Sequence, residues 1–192
     1  MNVIKGGVIT APFDQMRPLS AKPEDRWYKH ESLDIAGGDG LARSPVKGIA
    51  RGYIIIRGDG WAEQEKPSIL EIPWHNYFED IFGGLIVIEE DKTHRMHILA
   101  HFWADILLDG SAKATVDFHY QDHIETLKKT PFPARILRTV KVSVEPGDIL
   151  GPVGNAGYVE GPTGIHVHWE THHSIKRIDA RGARINPKEY IE

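Results

Sequence analysis

The chain has 192 residues, which suits a single domain with a hydrophobic core of its own. Hydrophobic residues make up 41% of it and charged residues 26%, without a long apolar stretch, which argues against a disordered chain and against a membrane span. With 23 Lys and Arg against 27 Asp and Glu the formal charge is -4, and no basic run could follow a phosphate backbone, so a nucleic-acid partner is not expected.

Two residue counts bear on the chemistry. The chain has no cysteine, which excludes disulfides, thiol catalysis and metal sites built on cysteine. It has 11 histidines, and imidazole is both a common ligand of transition metals and the side chain that titrates near neutral pH. A metal site in this chain must therefore combine histidine with carboxylate.

Short apolar runs separated by glycine and proline predict a mainly β protein. Period-two alternation and β-branched residues predict strands at residues 52–57, 85–89, 95–101, 136–144 and 165–171. Two stretches, near residues 61–82 and 103–135, interrupt this pattern and are predicted to be long insertions. No linker divides the chain, so residues 1–192 are expected to form one domain.

The first histidine motif is H-x-x-x-D, from His30 to Asp34. An offset of four places both side chains on one face of an extended segment, or on one face of a helix, so both can hold one ion. A solvated pair of side chains is the ordinary alternative for so short a motif.

The second motif contains His97 and His101, which alternation places on one face of a strand together with Leu99. One of the two histidines is expected to be a core residue without a role in a site. The spacing alone leaves open which one.

The third motif is H-x-H-x-E, in which His166, His168 and Glu170 share one face of a strand while the apolar residues between them face the other way. A catalytic zinc site takes three nitrogen or oxygen ligands from the protein and leaves a position for water. His30, Asp34 and one of the two histidines of H-x-H would complete that set. The remaining histidines would be available for proton transfer.

These motifs, in this order, resemble the lysostaphin-type, LytM-like zinc peptidases, which cut peptide bonds in bacterial peptidoglycan. The resemblance rests on H-x-x-x-D, on Leu99-x-His101 in the middle of the chain, on the Gly147-Asp148 turn with the glycines that follow it, and on H-x-H. Residues 9–17 also resemble the opening strand of the family with its arginine. The likeness covers most of the chain outside the two insertions.

The resemblance implies a role for each of five residues. His30, Asp34 and His168 would bind one zinc ion per chain, and His101 and His166 would be the catalytic histidines. It also implies the duplicated hybrid motif, an antiparallel, barrel-like β core, and a peptide of the cell wall as substrate. Phe102 stands where the family has leucine, and the interval between His101 and Gly147 is longer than in the family.

Two other functions are alternatives to a zinc endopeptidase. A cupin-type metal site also uses H-x-H but needs a carboxylate four or five residues later, where this chain has His172 and His173. A catalytically idle domain of the same fold, binding a metal or the wall, remains the alternative, although such domains typically lack a site residue. The glycine-rich stretches match no nucleotide-binding motif.

The first residues of the chain lack the apolar core and cleavage site of a signal peptide. If the chain is the whole native product, it would reach the cell wall by another route, as a phage lysis or tail enzyme does. A fragment trimmed for expression is equally compatible with this pattern.

Overall fold

The computed structural model describes residues 3–18, 27–56, 84–102, 135–138, 141–155, 164–176, 179 and 182–191, and within them the chain is mainly β, as predicted. The strands in these ranges are β1 (Gly7–Ala11), β2 (Gln15–Pro18), β3 (Trp27–His30), β4 (Leu33–Gly37), β5 (Leu41–Arg43), β6 (Gly48–Ile56), β7 (Gly84–Glu90), β8 (Met96–Phe102), β9 (Arg135–Arg138), β10 (Val142–Val144), β11 (Ile149–Pro152) and β12 (Val167–His172). A short 3-10 helix, Pro187–Tyr190, follows. No helix in the described ranges is long and apolar enough to cross a membrane.

The main sheet joins eight of these strands by antiparallel pairing, in the order β1-β4-β12-β8-β7-β6-β10, with β9 also paired to β6. Strands β2 and β3 form one small sheet, and β5 and β11 form another. The antiparallel core is therefore confirmed. Its expected barrel-like form is not, because β1 and β10 end the main sheet without pairing to each other over the described residues.

Four of the predicted strands correspond to β6, β7, β8 and β12. The fifth, predicted as one strand over residues 136–144, is divided into β9 and β10, which pair with opposite halves of β6. Between the paired positions, the chain from Arg138 to Val142 is one residue longer than the partner segment from Ala50 to Tyr53. Because the two pairings with β6 are offset by one residue, β9 and β10 do not share one register, which a hydrophobic pattern alone does not reveal.

Strand β4 was not among the predicted strands, although it carries Asp34. It lies between β1 and β12 in the main sheet, and its Leu33 and Ile35 are completely buried. Since alternate side chains of a strand point to opposite faces, Asp34 projects from the other face.

Apolar side chains of four adjacent central strands form the core behind that face. Burial of each large aliphatic or aromatic side chain contributes roughly 1.5–3 kcal/mol. The strands that carry the candidate site are therefore held firmly from one side by these buried residues: Leu33, Ile35, Ile86, Ile88, Leu99, Val167 and Trp169.

The two predicted insertions lie almost entirely outside the described residues, as does the segment 156–163 that precedes H-x-H. The single-domain organisation and the role of the insertions in choosing a substrate stay predictions.

Candidate metal centre

Asp34 and His168 face each other across two neighbouring strands. In the β4–β12 pair they are directly opposite, so both side chains project from the same face of the sheet. The Nδ1 atom of His168 lies 2.9 Å from Oδ1 of Asp34. The packing of Leu33 against Trp169 on the other face fixes the register that brings them together.

His30 reaches the same place from another sheet. It ends β3, and Glu31 and Ser32 carry the chain across to β4, so neither the continuous strand nor the helix considered for H-x-x-x-D is present. The Nε2 atom of His30 lies 3.3 Å from Oδ1 of Asp34 and 2.7 Å from the hydroxyl of Ser32. One ligating atom each from His30, Asp34 and His168 lie within 4.8 Å of one another.

Arg17 binds the second oxygen of the Asp34 carboxylate. Its Nη2 atom donates to Oδ2 at 2.6 Å, which leaves Oδ1 to the two imidazoles. Burial alone would raise the pKa of Asp34, but hydrogen bonds with His168 and His30 hold that pKa well below its usual range. The carboxylate is therefore charged and has one oxygen directed into the cluster.

His168 lies between two carboxylates. Its Nε2 atom is 3.1 Å from Oε1 of Glu170, which is 2% exposed, while Nδ1 faces Asp34. Burial alone would lower the pKa of His168, but Asp34 and Glu170 together raise it to about 9. Two imidazole nitrogens and a carboxylate oxygen converging in a buried place fit a zinc ion, which would take the position of the His168 proton.

His101 joins this cluster because strand β8 is irregular at that residue. The β7–β8 pairing passes from Ala100 to Phe102 and leaves His101 without a position in the ladder, and its φ is 73°. A positive φ is uncommon for a residue other than glycine, and a bulge of this kind redirects a side chain. The ring of His101 lies 4.7 Å from that of His166 and 5.7 Å from that of His168, measured between centroids.

His166 is held by the chain that precedes β12. Its Nδ1 lies 2.9 Å from the carbonyl oxygen of Gly164, and since a carbonyl can only accept, Nδ1 carries the proton. The lone pair of Nε2 is then available, and this atom lies 3.9 Å from Oδ1 of Asp34. Burial lowers the pKa of His166, which favours the neutral ring.

His97 lies on the other face, so the prediction that it shares a face with His101 is wrong. It is completely buried, and its Nδ1 accepts a hydrogen bond from the Trp169 indole at 3.3 Å. Its ring meets that of Tyr190 edge-on, with centroids 4.7 Å apart. Of the two histidines on this strand, His97 is the core residue.

The structure thus brings together all five predicted site residues, namely His30, Asp34, His101, His166 and His168. It also adds residues that the sequence motifs did not indicate. Ser32 touches both ligand histidines, and Arg184, far along the chain, donates to Glu170 at 2.8 Å. Glu170, which the sequence pattern places on the same strand face as His166 and His168, contacts His168 in a geometry that can orient its ring.

Comparison with known proteins informs the fold. No sequence profile of a known family matches the chain, and no curated protein matches it. A solved structure, described as "Identification and structural characterization of LytU", is similar at 18% sequence identity and a TM-score of 0.51, covering 100% of this chain and 88% of that one. The chain therefore has the fold of LytU.

Proposed function

We propose that this protein is a zinc-dependent endopeptidase that hydrolyses peptide bonds in bacterial peptidoglycan, and that it acts at the cell wall. One observation carries the proposal: three metal-ligating side chains and two further histidines converge on one face of a sheet that has the fold of LytU. The motif resemblance, together with the fold, supports peptidoglycan as the substrate.

The ligands would be His30 through Nε2, Asp34 through Oδ1 and His168 through Nδ1. When bound, zinc polarises the scissile carbonyl and makes water acidic enough to give up a proton near neutral pH. Arg17 keeps Asp34 to one ligating oxygen, and Glu170 orients His168 from the opposite side.

The two further histidines would handle protons and charge. His166 presents the lone pair of Nε2 towards the ligands, which suits it to accept a proton from water. His101 lies beside it and would stabilise the negative charge of the tetrahedral intermediate, or return the proton to the leaving amine. No H-E-x-x-H motif is present in the chain to supply a glutamate base.

The test measures zinc content and cleavage of purified peptidoglycan with the same preparations. Wild-type protein should bind about one zinc per chain and release peptide fragments, identified by mass spectrometry, from walls of at least one chemotype. Asp34→Ala should lose both the metal and the cleavage. His94→Ala is the matched control, because the His94 side chain is exposed and its described contact is with Glu89, remote from the cluster.

Two outcomes would contradict the proposal. Zinc content equal to the wild type in Asp34→Ala would exclude the ligand set. Stoichiometric zinc without cleavage of any wall chemotype would favour the idle, metal-binding domain instead.

A further inference from the structure

Behind His168, on the side away from the proposed metal, Glu170 is surrounded by donors. It is 2% exposed and lies 3.1 Å from Nε2 of His168, 2.9 Å from Nε2 of His172 and 2.8 Å from Nη1 of Arg184. The donors come from β12 and from the C-terminal segment 182–185. A buried carboxylate contacted in this way has little freedom to turn.

The tautomer of His172 is determined by the chain beyond β12. The backbone N–H of Asp179 donates to Nδ1 of His172 at 3.1 Å, so a neutral His172 carries its proton on Nε2, which faces Glu170. The carboxylate of Asp179 in turn accepts from the backbone N–H and the ring of His173, at 2.7 and 2.8 Å. His172 can therefore act as a fixed donor to Glu170.

Arg184 connects the same carboxylate to the segment that carries His30. Its side chain is 10% exposed; besides Glu170 it faces Glu31, with Nε 3.9 Å from Oε2. The other oxygen of Glu31 accepts the backbone N–H of Gly182. The C-terminal segment is thus anchored on both sides of its arginine, and the bridge between Thr171 and Ile185 continues that anchoring along β12.

We propose that Arg184 and His172 are positioning residues for the metal site. They hold Glu170 so that it accepts a hydrogen bond from Nε2–H of His168 and leaves Nδ1 directed at the metal. Outer groups that orient a ligand histidine in this way affect metal affinity without touching the ion. The inference rests on the proposed zinc site, but the hydrogen bond at its centre exists without metal.

The experiment therefore has two readouts. The first is the zinc dissociation constant, from competition with a chelator. The second is the downfield NMR signal of the His168 Nε2 proton in metal-free protein, assigned by its loss in His168→Gln, together with its rate of exchange with solvent.

The variants distinguish the loss of a hydrogen bond to Glu170 from a general loss of folding. His172→Phe removes a donor and keeps an aromatic ring, whereas His172→Gln restores an N–H. Arg184→Lys keeps the charge but loses the planar fork, and it is preferred to Arg184→Met because a methionine would leave two buried carboxylates uncompensated. Arg95→Met is the control, since Arg95 contacts Tyr190 in the 3-10 helix that follows the C-terminal segment, without a described contact to Glu170.

We expect His172→Phe and Arg184→Lys to weaken zinc binding by about 10–100-fold and to shift the His168 signal and speed its exchange. His172→Gln should recover most of both, and Arg95→Met should change neither. The inference is overturned if zinc affinity and the His168 NMR signal both stay unchanged in His172→Phe and Arg184→Lys. It is also overturned if zinc binding weakens in these variants while the His168 signal stays unchanged. If the wild type binds no zinc, the proposed function fails, while the NMR signal still decides the positioning role.

Discussion

Histidines on the two faces of the sheet at β8 and β12 have different surroundings, and their pKa values shift in opposite directions. On the core face, His97 packs against Trp169 and Tyr190, its Nδ1 accepts a hydrogen bond from the Trp169 indole, and its Nε2 lies 3.8 Å from Oε2 of Glu90. On the other face, His168 lies between the carboxylates of Asp34 and Glu170. Burial lowers the pKa of His97, whereas in His168 the carboxylates outweigh burial and raise the pKa to about 9.

Burial therefore does not decide what a histidine does in this protein, and its hydrogen-bonding partners do. A neutral imidazole with its acceptor nitrogen satisfied by an indole N–H holds two elements together. An imidazole with a carboxylate within hydrogen-bond distance of each nitrogen, as in His168, is a place for a cation, whether a proton or a metal ion.

Replacing either histidine next to the proposed ligands should strongly lower turnover without removing the bound metal. We expect His101→Ala and His166→Ala each to lower the cleavage rate by about 10²–10⁴-fold, the usual contribution of proton transfer by a positioned side chain. Zinc content, measured on the same samples, should equal that of the wild type. Loss of cleavage in His97→Ala but not in His101→Ala would show that the two faces have been assigned the wrong way round.

The bulge that turns His101 towards the ligands should be sensitive to Gly84. A Cβ at this position would lie 2.5 Å from the carbonyl oxygen of Phe102, so Gly84→Ala must displace the strand beside His101. We expect a loss of stability of about 1–3 kcal/mol, as for other overpacked sites, and a fall in cleavage rate.

Gly48→Ala is the matched control for that variant. Its Cβ would collide with the carbonyl oxygen of Glu89, at the end of β7 remote from His101. Chemical denaturation should give a similar loss of stability for both variants, and only Gly84→Ala should lose turnover per folded molecule. Equal turnover per folded molecule in the two variants would show that the bulge has no role in catalysis.

A substitution on the core face should lower stability and leave zinc content and turnover unchanged. His97→Phe keeps a ring beside Tyr190 but leaves the Trp169 indole N–H without its acceptor, which costs about 1–3 kcal/mol for a buried donor. Urea unfolding should show that loss, with zinc content and turnover of the folded protein unchanged. A fall in zinc content would mean that the two faces are coupled.

The pH dependence of stability should differ between metal-free and zinc-loaded protein. An unfolded histidine has a pKa of about 6.5, and His168 in the metal-free fold has one of about 9. The protonated ring therefore stabilises the fold fully below about pH 6.5, and this stabilisation is lost as the pH rises through about 9. Melting temperatures of the metal-free protein should fall over that interval.

Bound zinc replaces the His168 proton, so the zinc-loaded protein should not show this fall. His168→Gln supplies the control, since its metal-free form has no such group to titrate. Parallel pH profiles for the metal-free and zinc-loaded wild type would contradict the assignment of His168 as a ligand.

Much of the sheet was predictable because period-two alternation is a local property of the chain. It located β6, β7, β8 and β12, and the spacing of H-x-x-x-D and H-x-H located the residues that meet at the site. Alternation failed at His101, because a bulge arises from the pairing of β8 with β7 and leaves no mark in the sequence of β8 alone.

The same reason explains why Arg184 was missed. Its contact with Glu170 depends on the path of the C-terminal segment over β12, which no local pattern records. Conversely, β4 is only five residues long and was obscured by the motif within it, so its two buried aliphatic residues were not recognised as a strand.

The most direct test of the central claim is the location of zinc in crystals of the zinc-loaded protein, by anomalous diffraction at the zinc absorption edge. We predict one peak about 2.0–2.2 Å from Nε2 of His30, Oδ1 of Asp34 and Nδ1 of His168, with His97 remote from it. A peak at other side chains, such as His173 and Asp179, or none in protein that carries stoichiometric zinc, would contradict the account.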